Sequence, residues 1–150
     1  MQKRGSRARS QPADREKRGG NTTKIHAVVD GLGNPVYFQL SAGNIHDSTL
    51  AVDILSHVEL LGSNVLCDKA YGTAAIWDYI TSQGATYAIP PKANTRNLWE
   101  CDFHVYQERH LVECFFQKLK QFRRIATRYD KLASFFLAFV SIAAILILSK

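Results

Sequence analysis

The run LASFFLAFVSIAAILIL, Leu132 to Leu148, constrains this chain more than any other stretch. It carries no charged residue, and its only hydroxyls are Ser134 and Ser141. Its length lies near the lower limit for a helix that crosses a bilayer, about 17–25 residues. A helix buried on most sides by protein has the same composition. The run continues directly from a basic amphipathic segment, which favours the buried core helix over a membrane span. With 150 residues and 46% hydrophobic content, the chain has material for one ordinary domain with one core.

Charge is unevenly placed within a net of +6. Residues 1–20 hold seven Lys/Arg against two Asp/Glu, and residues 102–131 hold seven against four. The middle, 21–101, holds four against seven. Two basic ends around an acidic centre fit a polyanionic partner, nucleic acid first. A basic disordered tail beside a solvated helix is the plainer alternative. The first twenty residues are Arg-, Gly- and Ser-rich and read as a disordered or DNA-contacting arm, leaving 21–150 as the domain. They contain no apolar core of a secretory signal. Three cysteines, Cys67, Cys101 and Cys114, are odd in number and widely spaced, which predicts reduced thiols in a cytoplasm.

Along the domain, Ile25, Ala27 and Val29 alternate as a strand, DGLGNP makes a turn, and Val36, Phe38 and Leu40 return. His26 falls on the opposite side of that alternation and is expected to be exposed. A helix follows over IHDSTLAVDILSHVELLG, with Asp47 or Ser48 as its N-cap. NVLCD is a short strand, TAAIWDYITSQG a helix closed by Gly84, and ATYAIPPK a strand stopped by Pro90 and Pro91. From Phe103 to Leu148 the pattern is helical, with a break near Tyr129–Asp130. The order β-β-α-β-α-β-α predicts an α/β fold with one mixed sheet and flanking helices.

One stretch, YQERHLVECFFQKLK, carries candidate chemistry. On a helix at about 100° per residue, Tyr106, Arg109, Glu113 and Lys120 share a stripe roughly 60° wide along the edge of the apolar arc. Arg109 and Glu113 stand four apart, as a simple rim ion pair would. Asp68 ends the strand VLCD, and ligands of open α/β sheets gather beyond strand carboxyl ends. An Asp there and a helix-edge Glu, if they converge, suit a hard divalent cation.

The spacing Y-x2-R-x3-E-x6-K resembles the signature of bacterial insertion-sequence transposases of the DDE class, in the insertion-sequence four and five groups. RGGNTTKIHAVVDGLGNP, GNIHDST, DKAYG, IPPK and RRIATRYDK resemble further segments in the same order, from about Arg18 to Lys150. The resemblance implies an RNase H-like fold, Mg2+ or Mn2+ as cofactor, and cutting and rejoining of double-stranded DNA at element ends by a bacterial, nucleoid-associated protein. It makes Asp68 and Glu113 two catalytic, metal-binding carboxylates. It makes Tyr106, Arg109 and Lys120 residues that position DNA and contact phosphate, with an Arg fork and a Lys point charge suited to that task. Lys24 on the first strand, Lys92 and Arg96 after the double proline, and Arg123 and Arg124 are further candidates for phosphate contact. The family uses a third carboxylate on a strand before TKIH, and only the polar MQKRGSRARSQPADREKR stands there. The chain is therefore expected to be the C-terminal part of a transposase, lacking the first strand and its Asp. It would work as a homo-oligomer on DNA or with a segment encoded upstream, or survive as a non-catalytic DNA-binding remnant. Cys101, His104, His110 and Cys114 also read as a zinc pattern, but the gap between the pairs is short for a zinc finger, whose gap is about 12 residues.

Overall fold

The computed structural model describes residues 22–96, 98–127 and 132–149. The basic arm, Asn97 and the expected break at Tyr129–Asp130 lie outside the described residues. The TKIHAVV alternation forms β1, Thr23–Val29, which pairs antiparallel with β2, Pro35–Ala42, in the register Ile25↔Leu40 and Ala27↔Phe38. The turn is built by Asp30. Its carboxylate accepts from the backbone amides of Leu32 and Asn34, both at 2.9 Å, and from the Asn34 side chain at 3.1 Å. Gly33 adopts φ 82°, the left-handed region open to glycine. The Asn34 amide, the largest influence, holds the Asp30 carboxyl below its ordinary range.

The hairpin uses both faces. Ile25, Ala27, Val29, Phe38 and Leu40 pack on a core of Phe115, Leu119, Ile125, Phe136, Val140, Ala143 and Ala144. The other face meets α1, Asp47–Leu55, and the turn after it. Lys24 Nζ donates to Asp47 at 2.7 Å and to the Ile45 carbonyl at 2.8 Å, Gln39 donates to Asp53 at 2.9 Å, and Tyr37 stacks on His57 at 4.6 Å. His26 is therefore buried, not exposed, and its Nε2 lies 2.8 Å from the Ser41 hydroxyl. Alternation alone puts His26 on the second face, but does not show that a helix covers that face. The N-cap of α1 is His46, whose ring accepts from the Ser48 amide at 3.4 Å, rather than Asp47 or Ser48. Asp47 is instead committed to Lys24.

β3, Asn64–Leu66, and β4, Thr86–Ala88, pair in parallel and are joined through α2, Ala74–Ser82, as a βαβ crossover requires. Gly84 closes that helix at φ 71°. Ala51, Leu55, Leu60, Ile76, Ile80, Ala85 and Ile89 form the core of this half. The expected order of elements is present, but the single mixed sheet is not. β1–β2 and β3–β4 are separate two-stranded sheets among the described residues, and neither β1 nor β3 pairs with a second strand.

The helical C-terminal region is segmented. α3, Phe103–Tyr106, is capped by Asp102 and runs through a 3-10 turn, Gln107–Arg109, into α4, His110–Leu119. α5, Arg123–Ala126, and α6, Ala133–Leu148, follow. At about 1.5 Å per residue α6 is about 24 Å long. No helix among the described residues is long and apolar enough to cross a membrane.

Burial lowers the His26 pKa from 6.5; Asp47 raises it less, and Lys24 adds to the lowering. The unfolded chain therefore takes up the proton more readily. His26 stabilises the fold fully above about pH 6.5, and that contribution is lost as pH falls from there through the depressed folded value. Urea unfolding midpoints measured from about pH 7.5 down to about pH 5.5 should fall, and His26→Gln should flatten that part of the profile. A second check is Ile80→Ala in the first core, which should cost about 2–5 kcal/mol by the same measurement.

Candidate active site

Asp68 leaves β3 and begins a 3-10 turn, Lys69–Tyr71. Its carboxylate accepts from the Lys69 amide at 2.6 Å and otherwise faces solvent. The turn is shaped from behind. A Cβ on Gly72 would stand 3.1 Å from the Trp99 ring, and Trp99 is fixed by its Nε1 donating to the Ile89 carbonyl at 2.7 Å. DKAYG thus needs its glycine for the indole to pack close.

The second carboxylate is on α4. Phe115 and Leu119, each 1% exposed, bury one side of that helix and turn Glu113 outward. Arg109 donates to Glu113 at 2.6 Å, and its guanidinium lies 5.5 Å from the centre of the Tyr106 ring. Tyr106, Arg109 and Glu113 therefore form one contact chain although a 3-10 turn interrupts the expected continuous helix. Lys120 caps α4 and is exposed.

Burial raises the Tyr106 phenol, Arg109 pulls it back, and Asp68 and Cys101 raise it again. Tyr71 is pushed up to about 12 by burial, then by Asp47, Cys67 and Asp68. Asp68 and Arg109 thus both act on Tyr106, and Arg109 holds Glu113. Asp47, expected as a cap with lining of the site as the alternative, contributes to the raised Tyr71 phenol while its carboxylate is bound to Lys24. Cys67, next to Asp68, is half-buried, and desolvation raises its thiol to about 12.

The other basic candidates are dispersed. Lys24 is bound to Asp47 with both side chains more than a third exposed, which commits its ammonium to the start of α1. Lys92 is half-buried and Arg96 exposed in the loop after Pro91. Arg123 and Arg124 are exposed on α5, with the Arg124 guanidinium 4.2 Å from the Phe139 ring centre. The His110 ring lies 3.0 Å from the Gln107 carbonyl and Cys114 is exposed. No group of three or more His, Cys, Asp and Glu among the described residues is arranged to hold a metal ion.

Two family profiles, each described as a transposase DDE domain, match residues 2–100 and 65–149. Asp68 falls in both, and Glu113 in the second. A Brucella ovis protein described as a transposase for insertion sequence element IS6501 is 38% identical over 127 residues, 84% of this chain and 97% of that protein. No solved structure matches. The α/β chain with paired acidic and basic groups is thus of the DNA-transposing class. It belongs to the DDE transposase family of insertion-sequence elements.

The contact chain makes a spectroscopic prediction. Replacing Asp68 by Asn should lower the titration midpoints of both Tyr106 and Tyr71, whereas Arg109→Gln should raise that of Tyr106 alone. Tyrosine-labelled NMR titration reads both. An unmoved Tyr106 in Asp68→Asn would show that strand end and helix do not share a site.

Proposed function

We propose that this chain is the larger part of an RNase H-like transposase catalytic domain that cuts and joins DNA at insertion-sequence ends. What supports this reading is the family match over most of the chain, together with the Arg109–Glu113 ion pair at 2.6 Å on the helical segment that also carries Tyr106. Domains of this family generally use divalent metal ions. Asp68 and Glu113 are oxygen donors of the hard type that Mg2+ or Mn2+ prefers, and both reach solvent. A bound ion activates the attacking oxygen and stabilises the leaving one in phosphodiester cleavage.

The chain's own residues then act in order. Lys120, exposed at the end of α4, meets a DNA phosphate as a point charge. Arg109 holds the Glu113 carboxylate in place, and its planar fork suits a phosphate of the duplex. Tyr106 fixes the guanidinium from one side by its ring face. Arg96, Arg123 and Arg124 add backbone contacts that place the duplex without reading its sequence. Two carboxylates leave the site one short of the family's three. The third arrives on a strand that seats against the edges of β1 and β3 that hold no partner strand among the described residues. That strand is supplied by an upstream-encoded segment acting with this chain near the bacterial nucleoid.

Purified chain with Mg2+ and DNA carrying the ends of its own element should cleave little by itself. Adding the upstream-encoded segment should restore cutting, and Glu113→Gln should then lower the rate on the order of 10²-fold or more. Efficient cutting by the chain alone would overturn the missing carboxylate. A complemented sample that binds DNA without cutting would overturn the catalytic reading and leave a DNA-binding remnant. In binding assays Lys120→Ala should weaken affinity evenly across sequences and reduce the salt slope by about 1.

A further inference from the structure

Two loops leave the β3–β4 sheet side by side. The strands are parallel with Leu66 opposite Ala88, so Asp68 and Pro90 follow at the same end of the sheet. Asp68 opens the first loop. The second, residues 90–98, carries Lys92 and Arg96 and no carboxylate. Among the described residues neither cation has an ion-pair partner, whereas Lys24 is held by Asp47 and Arg109 by Glu113. Pro90 and Pro91 fix φ where the chain leaves β4. The Thr95 amide then donates to the Lys92 carbonyl at 3.0 Å, which turns the chain back.

The returning end is fastened by Trp99. Its Nε1 donates at 2.7 Å to the carbonyl of Ile89, a core residue 1% exposed. Its benzene ring lies against the Asp68 turn, so close that a Cβ on Gly72 would stand 3.1 Å from Cζ2. The ring also meets Trp77 edge-on at 4.4 Å, and Trp77 stacks on Tyr87 of β4 at 5.8 Å. Trp77 Nε1 is buried without a hydrogen-bond partner among the described residues. Ring contact therefore holds this platform, and the Trp99 N–H supplies its hydrogen bond. One side chain joins the base of one loop to the turn of the other.

We propose that Trp99 is a positioning residue, which fixes the Lys92–Arg96 loop beside the Asp68 turn so that both cations stand ready for the phosphates of a DNA duplex. The inference rests on the DNA-transposing reading above. Two positive charges without a carboxylate suit a polyanion. A loop that orders only on binding subtracts its lost backbone entropy from the affinity. Joined ends and two prolines remove much of that cost in advance. Indole fits the task because it combines a broad ring with one N–H donor.

Trypsin cuts after Lys92 and Arg96 and reads the loop without DNA. In the full chain carrying Trp99→Phe, which keeps a ring and removes the donor, cutting at these two sites should quicken about tenfold while cutting elsewhere is unchanged. Duplex affinity should fall about tenfold with the salt slope unchanged, as for a loop that holds its bound form about a tenth of the time. Lys92→Ala with Arg96→Ala should instead reduce the salt slope by about 2, and adding Trp99→Phe to that pair should weaken binding no further. Unchanged trypsin cutting in Trp99→Phe overturns the fastening. Faster cutting with unchanged affinity overturns its service to DNA binding. So does an equal loss of affinity in the chain lacking both cations, the mark of general damage to the fold. A wild-type chain that binds no duplex overturns the DNA-transposing reading together with the proposal, and the trypsin rates, measured without DNA, tell that failure from a failure of the fastening.

Discussion

The site exists because Phe115 is seated under the hairpin. Its ring packs 5.6 Å from that of Phe38 and is 1% exposed, and Leu119 one turn on is equally buried. Burying a side chain of this size is worth roughly 1.5–3 kcal/mol, far more than the surface ion pair on the same helix. The apolar contacts therefore set the rotation of α4. Arg109 and Glu113 point where they do as a consequence, and their 2.6 Å contact reports that orientation rather than creating it.

The hairpin is the other half of this dependence. Its apolar face holds α4 and α6, and its polar face holds α1 through Lys24, Gln39 and Tyr37. α1 in turn contributes Ala51 and Leu55 to the core that supports β3 and the Asp68 turn. The two carboxylate-bearing elements are thus joined through one hairpin packed on both sides. A defect at His26, enclosed between the layers, would reach both.

Features with local causes were readable from the residues. The alternation of Ile25, Ala27 and Val29, the glycine at 84, the strand-end Asp and the four-residue stripe on α4 each follow from a fixed backbone period. Features set by non-local contact were not. Nothing near His26 announces that α1 will bury it. The capping ring of His46 displaced better-known caps because Asp47 found a stronger partner in Lys24, 23 residues away. The division into two sheets depends on which strands meet, and β-pairing across a sheet is not encoded in either strand alone. That Asp68 and Glu113 belong to one site rests on the resemblance alone, since no spacing connects residues 68 and 113.

The thiol beside the site has a chemical consequence. A neutral sulfur is a poor nucleophile, and Cys67 is held neutral far above any physiological pH by the same apolar packing that forms the strand end. Peroxide, disulfides and alkylating reagents act on thiolates, so the raised thiol of Cys67 slows their attack there even though Asp68 next to it is open to solvent. Cys114, adjacent to Glu113, has no such shelter of protein around it. A thiol-directed label is therefore expected to favour Cys114 over Cys67.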